Sequence, residues 1–96
     1  MKPTFLELRH LRTLLALKET GSVSMAAKRV YLTQSALSHQ IKLMEEQFGL
    51  PLFERKSNPL RFTAAGDRLI RLANEILPKV VDAERELARV KHGDAG

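Results

Sequence analysis

The 96-residue chain contains no cysteine and no tryptophan. Without thiols neither a disulfide framework nor a thiolate metal site can form, and a cytoplasmic setting is the simpler expectation. Its histidines, His10, His39 and His92, are scattered too widely along the chain to suggest a metal, and no cofactor is expected. No apolar run approaches the ~20 residues that span a bilayer, and the first residues lack the basic-then-apolar layout of a signal peptide. There is no Gly-rich phosphate loop, no nucleophile with a nearby base and no paired acids, so nothing points to an enzyme.

What the chain does have is positive charge, unevenly spread. The formal net charge is +5. Residues 1–63 hold ten Lys/Arg against five Asp/Glu, and residues 64–96 hold six against six, so the whole excess belongs to the first part. A basic patch attracts a polyanion and speeds encounter with it, although many small domains are mildly basic for solubility alone.

Helical signals follow in quick succession. Thr4 and Glu7 have the spacing of a capping box, and Leu8, Leu11, Leu14, Leu15 and Lys18 give a stripe with a polar end, closed by Gly21. A short second helix is predicted from Ser22 or Ser24 through MAAKRV, where Ala26 and Ala27 permit close approach of another helix. Tyr31 and Leu32 end it. Thr33 then N-caps a third helix, in which Leu37, Ile41, Met44 and Phe48 form the buried stripe. Opposite that stripe stand Ser35, Ser38, His39 and Lys42, small or hydrogen-bonding groups where ordinary solubility would be served by Glu and Lys.

After Gly49 the texture changes. PLFERKSNPLRFT sets Phe53, Leu60 and Phe62 around the turn cluster Ser57, Asn58 and Pro59, which predicts a small β-hairpin with Arg55, Lys56 and Arg61 on its arms and tip. Thr63 is a suitable N-cap for a helix from about Ala64 to Val90, on the order of 40 Å long at ~1.5 Å per residue. Leu69, Ala73, Ile76, Val80, Ala83, Leu87 and Val90 are spaced 4, 3, 4, 3, 4, 3 along it, a heptad seam that Pro78 should kink. Ile70, Leu72, Leu77 and Val81 widen the stripe beyond what a small domain covers, so a partner helix is expected.

Helix, tight turn, helix is the layout of a helix-turn-helix, whose second helix lies in the major groove of DNA. A face pressed against base edges must be compact, and Ser and Gln hydrogen-bond there at close range while Thr33 and Lys42 can reach phosphates. A basic hairpin directly afterwards would sit over the flanking minor groove. The fold class expected is therefore mostly α: a winged helix-turn-helix with a β-hairpin wing over residues 1–63, and a long linker helix over 64–91. Duller readings stand beside this one. Gln34 and Ser35 could merely assist capping, and Arg55, Lys56 and Arg61 could only protect an edge strand. A helical interaction module without DNA binding would explain the seam, though not the concentration of charge in residues 1–63.

The run LRHLRTLLALKETGSVSMAAKRVYLTQSALSHQIKLMEEQFGLPLFERK, with LRFTAAG after it, closely resembles the N-terminal DNA-binding domain of LysR-type transcriptional regulators over roughly residues 6–90. QSALSHQ and SNPLRFT look most like the subgroup that activates methionine biosynthesis. The resemblance implies a winged helix-turn-helix, recognition of a partly palindromic operator, and a linker helix pairing antiparallel in a homodimer, with a tetramer in the full-length regulator. It carries base reading to Gln34, Ser35, Ser38 and His39, the phosphate neighbourhood to Thr33 and Lys42, and the wing tip to Asn58. Ser35 and His39 stand where many relatives have Pro and Arg. Relatives continue into an effector-binding domain, so residues 92–96 are expected to begin a linker to it.

Overall fold

A computed structural model describes residues 4–54 and 56–93. Four helices follow one another in the chain: α1 (Leu8–Thr20), α2 (Val23–Arg29), α3 (Gln34–Phe48) and α4 (Ala64–Lys91). The first three form a compact helical unit, and α4 runs along α1 and then beyond it, giving extents of 53 × 36 × 21 Å.

Local chemistry sets most boundaries. Gly21 and Gly49 adopt left-handed conformations (φ +67° at each) that end α1 and α3. The hydroxyls of Ser22, Thr33 and Thr63 accept the N–H groups of Met25, Ala36 and Gly66, so each starts its helix with one otherwise unpaired donor satisfied. The start of α1 differs from the expected Thr4/Glu7 box. Glu7 is itself the N-cap, and its backbone N–H donates to His10 Nδ1 at 2.9 Å. His10 is buried, stacked on Phe5 with ring centroids 4.9 Å apart, and Phe5 meets Phe48 edge-on at 5.8 Å. The aromatic contact fixes the imidazole where a Thr4 hydroxyl was expected.

The core has two connected parts. Ala16, Leu17, Ala26, Ala27 and Leu37 bring α1, α2 and α3 together, the two alanines allowing the close approach anticipated from their size. Leu14, Met44, Leu52 and Ile70 join α1, α3, the following loop and the start of α4. Leu37 and Met44 have no exposed surface, whereas Phe48 at the end of the same stripe is 39% exposed because α3 outruns the core there.

Between α3 and α4 the chain doubles back on itself, and the expected β-hairpin is not seen as paired strands. Among the described residues no strand forms, and one antiparallel bridge between Phe53 and Phe62, with Glu54 N–H donating to the Arg61 carbonyl, closes a loop. The arms are too short to sustain a ladder beyond that bridge. Ser57 organises the turn instead, its hydroxyl donating to the Glu54 carbonyl and accepting the Arg61 N–H. The loop's base is pinned to α4 by Thr63, whose hydroxyl donates to the Pro51 carbonyl at 2.7 Å while accepting the Gly66 N–H.

Helix α4 is continuous through Pro78. Its first half belongs to the chain's own core, with Gly66, Ile70 and Ala73 buried. This corrects the expectation for Ala73. At 0% exposure it packs within the chain and has no surface left to offer a partner helix. Beyond it Val81, Leu87 and Val90 are 41%, 67% and 59% exposed.

Gly66 has no room for a side chain, because a Cβ there would collide with the Leu52 carbonyl oxygen and press the Phe62 ring. Helix propensity alone favours alanine over glycine by about 1 kcal/mol. The collision with backbone outweighs it, and Gly66→Ala is expected to destabilise the fold by about 1 to 3 kcal/mol in urea unfolding. His10 generates a pH dependence. Burial, then the charge of Arg9, lowers its pKa from the ordinary 6.5, with Glu7 opposing. The unfolded chain therefore takes up the proton more readily than the folded one. The stability is fully present above about pH 6.5 and declines as pH falls through the lowered folded value. His10→Gln keeps an acceptor for the Glu7 N–H without the titration, and unfolding across pH should show that decline absent in the variant.

Candidate nucleic-acid interface

Helix α3 is held by one face and open on the other. Leu37 and Met44 are buried and Ile41 half-buried, so the helix is fixed in rotation about its axis. Thr33, Gln34, Ser35, Ser38, His39 and Lys42 are consequently all exposed, and the structure brings them together along a single outward strip. The strip is compact, with Lys42 as its one Lys or Arg. Glu45 is drawn off the strip: its Oε2 accepts the Leu52 N–H at 2.7 Å. That bond keeps a carboxylate away from any polyanion approaching the strip.

The loop 54–61 stands beside α3. Lys56, Asn58 and Arg61 are exposed on it, and Arg55 lies outside the described residues. Phe53 and Phe62 meet at 4.5 Å beneath the loop, and Lys18 Nζ from α1 sits 5.5 Å from the Phe62 ring centre, so the loop is seated on the domain. Arg61 lies 3.9 Å from Glu54 with both side chains exposed, a pairing worth little in water.

The dimerisation candidates divide by burial. Leu69, Ile76 and Val80 are half-buried, Ala83 and Leu87 are exposed, and Ala73 is enclosed as described. Among the described residues no group of His, Asp or Glu is placed to hold a metal ion.

Two exposed features were not anticipated from sequence. Tyr31, in the turn between α2 and α3, is 95% exposed and holds φ at +60°, a conformation that L residues with large side chains seldom adopt. Arg9, at the start of α1, is exposed beside the α3 flank, its guanidinium 3.3 Å from Glu7. The sequence signal for Arg9 was the basic excess of residues 1–63, which counts charges without locating them.

Residues 8–67 match the profile of "Bacterial regulatory helix-turn-helix protein, lysR family". The HTH-type transcriptional regulator MetR of Haemophilus influenzae is 90% identical over 96 residues, all of this chain and 31% of that protein. MetR of Escherichia coli is 50% identical over 78 residues, covering 81% of this chain and 25% of that protein. The chain thus spans less than a third of the length of these curated relatives. Among solved structures, a BenM_DBD complex with catB site 1 DNA superposes with a TM-score of 0.81 at 35% identity, covering 92% of this chain and 95% of that one. A CbnR_DBD–DNA complex gives 0.72 at 29% identity, over 91% and 99% respectively.

Proposed function

The chain belongs to the lysR family of bacterial regulatory helix-turn-helix proteins, and we propose that it binds operator DNA by laying α3 in the major groove. The observation that carries this reading is the exposed strip of short polar side chains on a helix whose opposite face is anchored by the buried Leu37 and Met44. Gln34, Ser35, Ser38 and His39 present amide, hydroxyl and imidazole groups at hydrogen-bonding reach of base edges, while Thr33 and Lys42 reach phosphates. The loop 54–61 acts as the wing, with Lys56, Asn58 and Arg61 toward the flanking backbone. The identity to MetR supports a regulator of methionine biosynthesis genes acting in the cytoplasm, with residues 92–96 leading toward an effector-binding domain.

The regulator works as a homodimer through α4. An antiparallel two-fold contact requires each residue to face one equally distant from the centre. Leu69 and Leu87, and Ile76 and Val80, are each equidistant from Pro78, so the seam is complementary to itself. Asp67 and Arg89, of opposite charge, are equidistant from it too. Ala83 completes the seam, opposite the position where Ala73 turns into its own core. Two recognition helices then lie on one side of the assembly, and a partly palindromic operator is read at two half-sites. In the longer regulator two such dimers make a tetramer.

Ser38→Ala and Gln34→Ala should each weaken binding to the preferred duplex by about 1 to 3 kcal/mol while leaving binding to scrambled duplex nearly unchanged. Fluorescence anisotropy on both duplexes checks this, and equal losses on the two would remove these residues from base reading. Leu87→Asp places a carboxylate on an exposed side chain, where it cannot unfold the monomer but must be buried in the seam. Sedimentation should find the native chain dimeric at micromolar concentration and this variant monomeric.

A further inference from the structure

A wing that meets DNA has to be held at one distance from the recognition helix, and its base alone cannot do that. The ties at the base of the loop 54–61 are the Phe53–Phe62 bridge, the Thr63 N–H to the Leu52 carbonyl and the Thr63 hydroxyl to the Pro51 carbonyl. Farther out, the Ser57 hydroxyl bonds within the loop itself, to the Glu54 carbonyl and the Arg61 N–H. A loop tied only in these ways could swing about its base. Leu60 supplies the missing tie: its N–H donates to the Gly21 carbonyl at 3.4 Å, and among the described residues this is the one hydrogen bond from the outer loop to another part of the domain.

Gly21 is the corner between α1 and α2, and its neighbours reach the same arm of the loop. Pro59 lies against it, since a Cβ on Gly21 would stand 3.7 Å from the Pro59 Cβ. Val23, the first residue of α2, lines one cleft with Phe53 and Leu60, together with Ile41 and Glu45 of α3. Lys18, three residues before the corner, holds its Nζ over the Phe62 ring, 5.5 Å from the centre. The adjacent carboxylate, Glu19, is taken by Arg29 at 3.0 Å, and Lys18 forms no ion pair among the described residues. Its ammonium is left to the ring.

Resting on the DNA-binding reading above, we propose that the α1–α2 corner is the seat that aims the wing, and that Lys18 is a positioning residue for the wing's contact with DNA. Two tasks then meet in one residue. Gly21 ends α1 by donating its N–H to the Leu17 carbonyl at 2.8 Å, its left-handed φ of +67° turns the chain out of the helix, and its own carbonyl receives the wing. The cation–ring attraction draws Phe62, and with it the adjacent Arg61, toward the last turn of α1. Because Leu17, Ala26 and Ala27 also hold Leu37 of α3, the separation of strip and wing is set by the same pair of helices.

The experiment is a double-mutant cycle on binding of mixed-sequence duplex DNA, read by fluorescence anisotropy at one salt concentration. The four proteins are the native chain, Lys18→Gln, a wing-stripped chain carrying Lys56→Gln and Arg61→Gln, and the chain carrying all three changes. Lys18→Gln should weaken native binding about two- to fivefold, the scale of one exposed cation–ring contact, and Lys18→Arg, which keeps the cation, should bind as the native chain does. In the wing-stripped chain Lys18→Gln should have no further effect, because a residue that acts through the wing has nothing left to aim. A Lys18 that meets a phosphate by itself, or that only supports the fold, costs the same factor in both backgrounds, and that result overturns the proposal. So does a Lys18→Gln chain with native affinity. A wing-stripped chain with native affinity removes the loop from DNA contact and overturns the wing and its seat together. A native chain that binds no duplex overturns the DNA-binding reading itself, an outcome distinct from the others.

Discussion

Everything presented by this domain depends on the anchoring of α3 through Leu37 and Met44. Both are fully enclosed, one against α1 and α2, the other against α1, the loop and α4. Two buried side chains seven positions apart, about two helical turns, leave the helix no freedom to roll. Rolling it by one residue would exchange core and strip, bringing Ser38 inside and Leu37 out, at a penalty of several kcal/mol for the lost burial and the unpaired hydroxyl. The rigidity of the outward strip is therefore a property of the core, and Ala26 and Ala27 make it by letting α2 approach closely.

A second constraint ties the remaining parts to that helix. Glu45 binds the Leu52 N–H, Thr63 binds the Pro51 carbonyl, and the Leu52 carbonyl fills the space that a side chain at position 66 would need. Three residues thus lock the loop between α3 and α4. One consequence is electrostatic, since Glu45 is held off the strip. The other is geometric: the direction of α4, and with it the separation of recognition helices in a dimer, is fixed by the same backbone segment that seats the wing loop.

Short-range chemistry was legible in the sequence. Thr33, Thr63 and Gly21 act within one helical turn of themselves, so the residue type at the right offset suffices. The α3 strip was legible for the same reason, periodicity dividing it from Leu37 and Met44. What needed the fold was whatever depends on a distant neighbour. Phe5 stacking fixes His10 as partner of the Glu7 N–H, and no spacing rule announces that pairing. Ala73 belongs equally well to a heptad seam or to a contact with α1, and periodicity cannot separate a chain's own core from its mate's. The extent of the hairpin was not legible, because apolar runs around a turn do not reveal how far the arms pair.

The central claim is that the α3 strip reads base identity. Selection of the sequences bound by the native chain from a random duplex pool tests it most directly. The account predicts enrichment of a partly palindromic consensus with two half-sites one or two helical turns apart, and a changed consensus when Ser38 is replaced by alanine. Recovery of bound duplexes with no shared sequence, or the same consensus from both proteins, would contradict it.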